Sequence, residues 1–268
     1  MFDNSFISSV ENIIKEAGNF IQTELKHFDK KNIQSKNTFD LVSYVDIQTE
    51  KFLISNLSKV FPDAGFIAEE TSNQSNKEWN WIIDPLDGTT NFTRQLPSFA
   101  ISVALVHQND IQAGFVLNIP LNEFFFAIKN QGAYLNHNVI KVANNLSLKD
   151  SLIATGFSVT RFDKAQQHLM IVKEIITHSL GIRRIGAAAV DLCYVACGRF
   201  DGFFEWYLNP WDVAAGALIA KEAGAIVSDF SGKDNFLFGK EIIAAQPHIY
   251  QELLKIIQQN SNSYEIQT

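Results

Sequence analysis

The chain has 268 residues, 46% of them hydrophobic and 19% charged, so it can bury a substantial core as one large domain or two modest ones. With 12% aromatic residues and six prolines, it lies away from disordered, collagen-like and disulfide-stapled compositions. A formal net charge of -7 argues against nonspecific nucleic-acid binding, and any phosphorylated ligand would need local help.

The opening MFDNSFISSVENIIKE has no basic segment ahead of an apolar run, and no stretch is long and apolar enough to cross a membrane. Neither a signal peptide nor a membrane span is expected. Phe6, Val10, Ile13, Ala17, Phe20 and Ile21 recur every three or four residues, which predicts an amphipathic helix of about six turns. A polar connection then leads into IQTEKFLISNLSKVF, a second helix carrying Leu53, Leu57 and Val60, capped by Asp46 and stopped by Pro62.

From residue 79 the texture changes to WNWIID, FAISVALVHQ, IQAGFVLNIP, EFFFAIKN and GAYLN, separated by short polar turns, which reads as a strand meander. In FAISVALV, Phe99, Ile101, Val103 and Leu105 alternate with Ala100, Ser102 and Ala104, so neither face is built for water. Beyond about residue 145, strand and helix patterns alternate from SLIATGF to PHIYQELLKIIQQ. The prediction is an α/β layered sandwich with alternating α and β layers (αβαβα). It has a large, mostly antiparallel sheet in the first half and a smaller sheet with helices in the second. Two subdomains, 1–145 and 146–268, would meet around a cleft within one compact unit. Cys193 and Cys197, four apart in a helical pattern, cannot make a disulfide framework for such a chain, so a reducing, cytoplasmic setting is expected. The polar tail NSNSYEIQT is expected to fray.

The densest chemical signal is WIIDPLDGTTNF, residues 81–92, with Glu69-Glu70 upstream. Pro85 cannot donate in a strand ladder, so the strand should break there and release Asp84, the Leu86 carbonyl and Asp87 around one turn. Those oxygens supply half an octahedral Mg²⁺ shell, and Gly88-Thr89-Thr90 presents backbone N–H groups that attract anions. Each acidic pair alone is also an ordinary turn, but together they are expensive to desolvate without a cation. No Walker-type phosphate loop, GxGxxG, HExxH or GxSxG motif competes.

WIIDPLDGTTNF resembles the central motif of the inositol monophosphatase family of magnesium-dependent phosphatases. Pro210-Trp211-Asp212-Val213-Ala214-Ala215-Gly216 with Glu222-Ala223-Gly224 resembles its second motif. Asp40-Leu41-Val42-Ser43 with Asp46, Phe66-Ile67-Ala68-Glu69-Glu70 and Gly186-Ala187-Ala188-Ala189 follow in the family's order, so the resemblance spans nearly the whole chain. Ala68 and Ala225 stand where the family usually has glycine, and Leu86 replaces the more usual Ile. The family's lysine before DLV has no clear counterpart, Lys36 being one residue out of register.

The resemblance implies a metal-ligand set of Glu69, Asp84, the Leu86 carbonyl, Asp87 and Asp212 around two or three Mg²⁺ ions. It makes Asp46 and Thr89, with Glu69, the groups that orient and deprotonate the attacking water, and has the N–H groups of Gly88 and Thr89 hold phosphate. It places Glu205, Ala188 and Ser158 against the polyol. Glu205 is otherwise a solvated strand-end carboxylate, and Arg183-Arg184 suit phosphate, a partner subunit or a surface ion pair equally. The implied activity is lithium-sensitive hydrolysis of a small phosphorylated polyol, myo-inositol 1-phosphate first, by a homodimer with no nucleic-acid or membrane partner. Fructose 1,6-bisphosphate, histidinol phosphate and adenosine bisphosphate are alternative substrates. A regulatory protein acting through a protein partner is the alternative of another class.

Overall fold

A strand can be apolar on both faces only if something covers each face, and that requirement sets the layering of this chain. A computed structural model describes residues 2–27, 33–37, 40–71, 77–158 and 160–261, with the backbone alone for 33–37 and 40–43. The side chains of Lys36 and of Asp40 to Ser43 therefore lie outside the description, as does the polar tail from residue 262 onward.

The chain opens with α1 (Asn4–His27), a hairpin of β1 (Ile33–Asn37) and β2 (Asp40–Ser43), α2 (Tyr44–Val60) and β3 (Gly65–Ala68). Next come β4 (Trp79–Asp87), the short α3 (Thr89–Arg94) and a meander of β5 (Ala100–His107), β6 (Asp110–Asn118), β7 (Glu123–Ile128), β8 (Ala133–Leu135) and β9 (Asn138–Ile140). The second half runs β10 (Leu152–Thr155), α4 (Ala165–His178), β11 (Gly181–Arg183), α5 (Ala188–Ala196), β12 (Gly202–Trp206), α6 (Pro210–Glu222), β13 (Ile226–Ser228), β14 (Glu241–Ala245) and α7 (Pro247–Ser261).

Strands β3 to β9 form one sheet in chain order, parallel between β3 and β4 and antiparallel from there on. The smaller sheet is ordered β11-β10-β12-β14-β13 and is mixed. Ile101, Val103 and Leu105 of β5 join Trp81 and Ile83 of β4 in packing on Val10, Ile14 and Ile21 of α1 and Leu53 and Leu57 of α2. The alternate residues Ala100, Ala104 and Val106 face α5 and α6, whose Leu192, Ala215 and Leu218 share a cluster with Ala154, Phe203 and Ala244 of the small sheet. The far side of that sheet, Ile153, Phe204 and Ile243, is covered by Ile171 and Ile175 of α4 and by Ile249, Leu253 and Ile257 of α7. The order is α1/α2, large sheet, α5/α6, small sheet, α4/α7, the αβαβα sandwich that the alternating patterns predict.

Several local expectations change. The buried stripe of α1 runs through Ile7, Val10, Ile14, Ala17 and Ile21, leaving Phe6, Ile13 and Phe20 half-buried about 100° away on the same helix. The connection read as merely polar holds the β1-β2 hairpin, and β2 runs straight into α2. Asp46 therefore does not cap α2 but lies within its first turn, buried. Strand β4 does not break at Pro85. It continues to Asp87 through a bulge, with Asp84 opposite Ser102 and Asp87 opposite Ala100, so three residues on β4 span two on β5. A bulge removes the ladder bond that proline cannot make while keeping the strand paired on both sides.

Helix α6 lies directly on the large sheet because β6 offers Gly114 beneath it. A Cβ at that position would come within 2.7 Å of the Ala215 carbonyl oxygen. Gly114→Ala is expected to lower stability by about 1–3 kcal/mol through overpacking against helix backbone. Urea unfolding reads this directly, and an unchanged midpoint would mean that α6 is free to move away from the sheet.

Candidate active site

Side chains on a regular strand alternate faces, so Asp84 and Asp87, an odd number of residues apart, would point to opposite sides. The bulge adds one residue and brings both to the face of Ile82, toward the α5/α6 layer. Leu86, between them, turns its side chain into the α1/α2 core, and its carbonyl accepts the Thr89 hydroxyl at 3.0 Å. Glu69 follows β3, its N–H donating to the Ile83 carbonyl of β4 at 3.3 Å. The next N–H, of Glu70, donates to the buried Glu50 of α2 at 2.7 Å.

Asp212 arrives from α6. The N-cap of that helix is Asn209, and the Asn209 N–H donates to Asp212 Oδ2 at 2.6 Å. Glu205 arrives from the small sheet, on the β12 face opposite Phe204 and Trp206 and therefore facing the same central layer. Its carboxylate rests on Gly156, just beyond β10, where a Cβ would overlap it.

Electrostatics expose the cost of this gathering. Burial, then the neighbouring Glu69, Asp87 and Asp212 carboxylates, hold Asp84 well above the usual carboxylate range. Burial and Asp212 raise Asp87, whose carboxylate is partly offset by N–H groups at the start of α5, with Ala189 N at 2.8 Å from Oδ2. Burial raises Asp212 against the Asn209 contacts. Burial and Asp212 push Glu205 up to about 8, with Arg184 pulling the other way.

An oxygen-only donor set of mutually repelling, buried carboxylates fits a hard divalent cation, whose charge would relieve the repulsion. Among the described residues no three such groups already converge to hold an ion. Asp84 leans on Leu86 N at 2.9 Å, Asp87 on Ala189 N and Asp212 on Asn209 N.

The structure thus brings Glu69, Asp84, Asp87, Asp212 and Glu205 into one electrostatic neighbourhood. Gly88, with φ 88°, turns the chain into α3, which opens at Thr89. Ala188 begins α5 with its N–H directed at Asp87. The Ser158 hydroxyl oxygen accepts the N–H of Arg161 at 3.0 Å and lines a cavity of about 100 Å³ with Phe157, His168, Tyr207 and Gly156, the glycine on which the Glu205 carboxylate rests. Arg183 and Arg184 are both exposed; Arg183 donates to the Ile182 carbonyl at 3.0 Å, and Arg184 lies beside Gly186. Glu222 of the second motif accepts Asn130 N at 2.7 Å and Gly132 N at 2.8 Å, so it ties α6 to the β7-β8 turn rather than joining the acids.

Sequence reasoning passed over three residues. Asn91 donates through Nδ2 to the Ser98 carbonyl at 2.7 Å and the Ile185 carbonyl at 2.9 Å, fastening α3 to the loop before α5. Asp191 is buried on α5 with Oδ1 unpartnered, and burial with Glu205 and Asp87 holds it well above the usual range. An acid inside AAAVDLCYVA was the available signal. Ser102, the one polar residue from Ala100 to Val106 of β5, donates to the Trp211 carbonyl at 3.1 Å.

Over residues 3–262 the sequence matches the model of the Inositol monophosphatase family. It is 41% identical to the putative Nus factor SuhB of Neisseria meningitidis, over 95% of this chain and 98% of the relative. The extragenic suppressor protein suhB of Bartonella henselae, in its native crystal structure, aligns with a TM-score of 0.89 at 35% identity, covering 96% of this chain and 99% of that one. The Thermotoga maritima IMPase aligns with a TM-score of 0.87 at 33% identity, covering 96% and 98%.

The raised acids make stability depend on pH. A carboxyl whose folded-state pKa exceeds the unfolded value stabilises the fold fully below the unfolded value and loses that contribution as pH rises through the folded one. Glu205, at about 8, and the likewise raised Asp84, Asp87 and Asp212 all act in this sense. His168, lowered to about 4 by burial, acts oppositely, but only up to its unfolded value, about 6.5. In EDTA the thermal midpoint should therefore fall between about pH 7 and 8.5, and Asp87→Asn should flatten the decline. A level midpoint in the unsubstituted protein over that window would contradict the electrostatic account.

Proposed function

The chain belongs to the inositol monophosphatase family, and from that premise we propose that it is a cytoplasmic, Mg²⁺-dependent phosphomonoesterase acting on a small polyol phosphate, with myo-inositol 1-phosphate first. The observation that carries this reading is the cluster of Glu69, Asp84, Asp87 and Asp212, each acid raising Asp84, at a turn that leads into the N–H groups of Gly88 and Thr89. In this reading Glu69, Asp84, the Leu86 carbonyl, Asp87 and Asp212 hold the ions. Mg²⁺, when bound, neutralises the carboxylates, acidifies the attacking water and steadies the departing alkoxide.

The chain's own groups do the rest. Asp46, buried on α2, and Thr89, at the start of α3, hold the attacking water and take its proton. The Gly88 and Thr89 N–H groups orient the phosphate for in-line attack, so no covalent phosphoenzyme is needed. Glu205 and the Ala188 backbone address the polyol, and Ser158, whose oxygen accepts the Arg161 N–H, retains an O–H to join them. As in the family, the working unit is a homodimer.

A second reading has a specific motive: relatives at 38–41% identity are named Nus factor or putative Nus factor SuhB. A regulatory role through a protein partner on the same fold is compatible with the first. Phosphate release from a panel of phosphomonoesters separates them. The enzyme reading expects Mg²⁺-dependent turnover that is abolished in Asp212→Asn and suppressed by millimolar Li⁺. Absence of turnover on every ester at saturating Mg²⁺ would leave the regulatory reading.

Glu205 offers a finer check, because its role is to hold the leaving alcohol rather than the phosphorus. Glu205→Ala should lower kcat/KM for inositol 1-phosphate by about 10- to 100-fold, or about 1.4–2.8 kcal/mol, the loss of a hydrogen bond to a carboxylate that bound cations would ionise. Hydrolysis of p-nitrophenyl phosphate, whose leaving group has no hydroxyls, should fall much less. Equal losses on the two esters would transfer Glu205 to support of the metal site.

A further inference from the structure

Helix α6 has to deliver Asp212 to acids that sit on another element, so where its first turn stands against the large sheet matters. Its small residues Ala214, Ala215, Gly216 and Ala217 are buried together with the larger Val213, Leu218 and Ile219. Against β6 the contact is backbone to backbone at Gly114, and against α5 a Cβ at Gly216 would come within 2.7 Å of Leu192 Cβ. The small residues allow close approach, Val213, Leu218 and Ile219 supply the interdigitating bulk, and Glu222 ties the far end of the helix to the β7-β8 turn. At the Asp212 end, a side-chain hydrogen bond ties the first turn to the large sheet. Ser102, 1% exposed on β5, donates through Oγ to the Trp211 carbonyl at 3.1 Å, one residue before Asp212. Ser102 is also the residue paired with Asp84 across the β4-β5 ladder. It therefore bonds the helix that carries one acid from the strand position facing another.

We propose that Ser102 is a positioning residue for divalent-cation binding, its hydroxyl fixing the first turn of α6 so that Asp212 stands at ligand distance from Asp84. This rests on the metal-site reading above. The hydroxyl touches neither substrate nor ion. It acts through Trp211, whose carbonyl moves with Asp212 as part of the same helical turn. The Asn209 N–H orients the Asp212 carboxylate within that turn, and the Ser102 bond orients the turn against the sheet.

The test measures Mn²⁺ binding to the free protein by electron paramagnetic resonance, alongside Mg²⁺ activation, in wild type, Ser102→Ala and Ser102→Cys. Alanine removes the donor at nearly constant volume, and cysteine keeps the shape with a weaker donor. Affinity for Mn²⁺ should fall about three- to tenfold in Ser102→Ala, the range expected for one neutral hydrogen bond, and less in Ser102→Cys. The Mg²⁺ concentration for half activation should rise in parallel, while kcat at saturating Mg²⁺ changes less than about twofold. Unchanged Mn²⁺ affinity in the alanine variant, whatever happens to its thermal midpoint, overturns the proposal and leaves Ser102 as packing. Should the alanine variant not fold, Ser102→Gly, which also removes the donor without adding bulk, takes its place, and wild-type affinity there overturns the proposal equally. Failure of the wild type itself to bind Mn²⁺ would instead overturn the metal-site reading on which the proposal stands.

Discussion

Two side chains three residues apart on a strand can face the same way only where the pairing slips by one residue. The slip at Pro85-Leu86 is the constraint from which the rest of this site follows. It turns Asp84 and Asp87 to one face, sends Leu86 into the opposite core and leaves the Leu86 carbonyl within reach of Thr89. Proline makes the slip natural, since residue 85 has no N–H to lose from the ladder. A regular strand of the same composition would bury one of these acids in the apolar layer against α1 and α2.

Once both acids face the central layer, the surrounding elements act to tolerate and complete them. The N–H groups at the start of α5 offset part of the charge on Asp87, and the Asn209 N–H does the same for Asp212. These contacts compensate incompletely, as the raised Asp84, Asp87 and Asp212 attest. A protein that carries such repulsion trades stability for a preformed demand for positive charge, a common arrangement at functional sites.

The site belongs to neither half of the chain alone. Its acids come from β4, the turn after β3, α6 and β12, and the helices between the sheets are what bring them into one field. Asn91 and Ser102 are side-chain bonds that cross between the large sheet's elements and the second half, to Ile185 and to Trp211. Glu222, by contrast, spends both oxygens on the β7-β8 turn, so a residue within a site motif can serve the frame rather than the chemistry.

By itself the sequence determined the layer order, because period-two and period-3.6 patterns are local and each element's apolar face has to be covered. It also singled out Asp84 and Asp87 as candidates, since carboxylates beside Pro85 and Gly88 stand out by their chemistry. It did not reveal that β4 continues past Pro85, because a break and a bulge both answer the missing N–H and only the pairing with β5 chooses between them. Nor did it reveal that Asp46 lies inside α2, since the junction with β2 is set by the hairpin. Ser102, Asn91 and Gly156 stayed silent for the same reason. Each acts on a residue at least 49 positions away in sequence, and no local pattern records a contact that exists only once the two sheets enclose their shared helices.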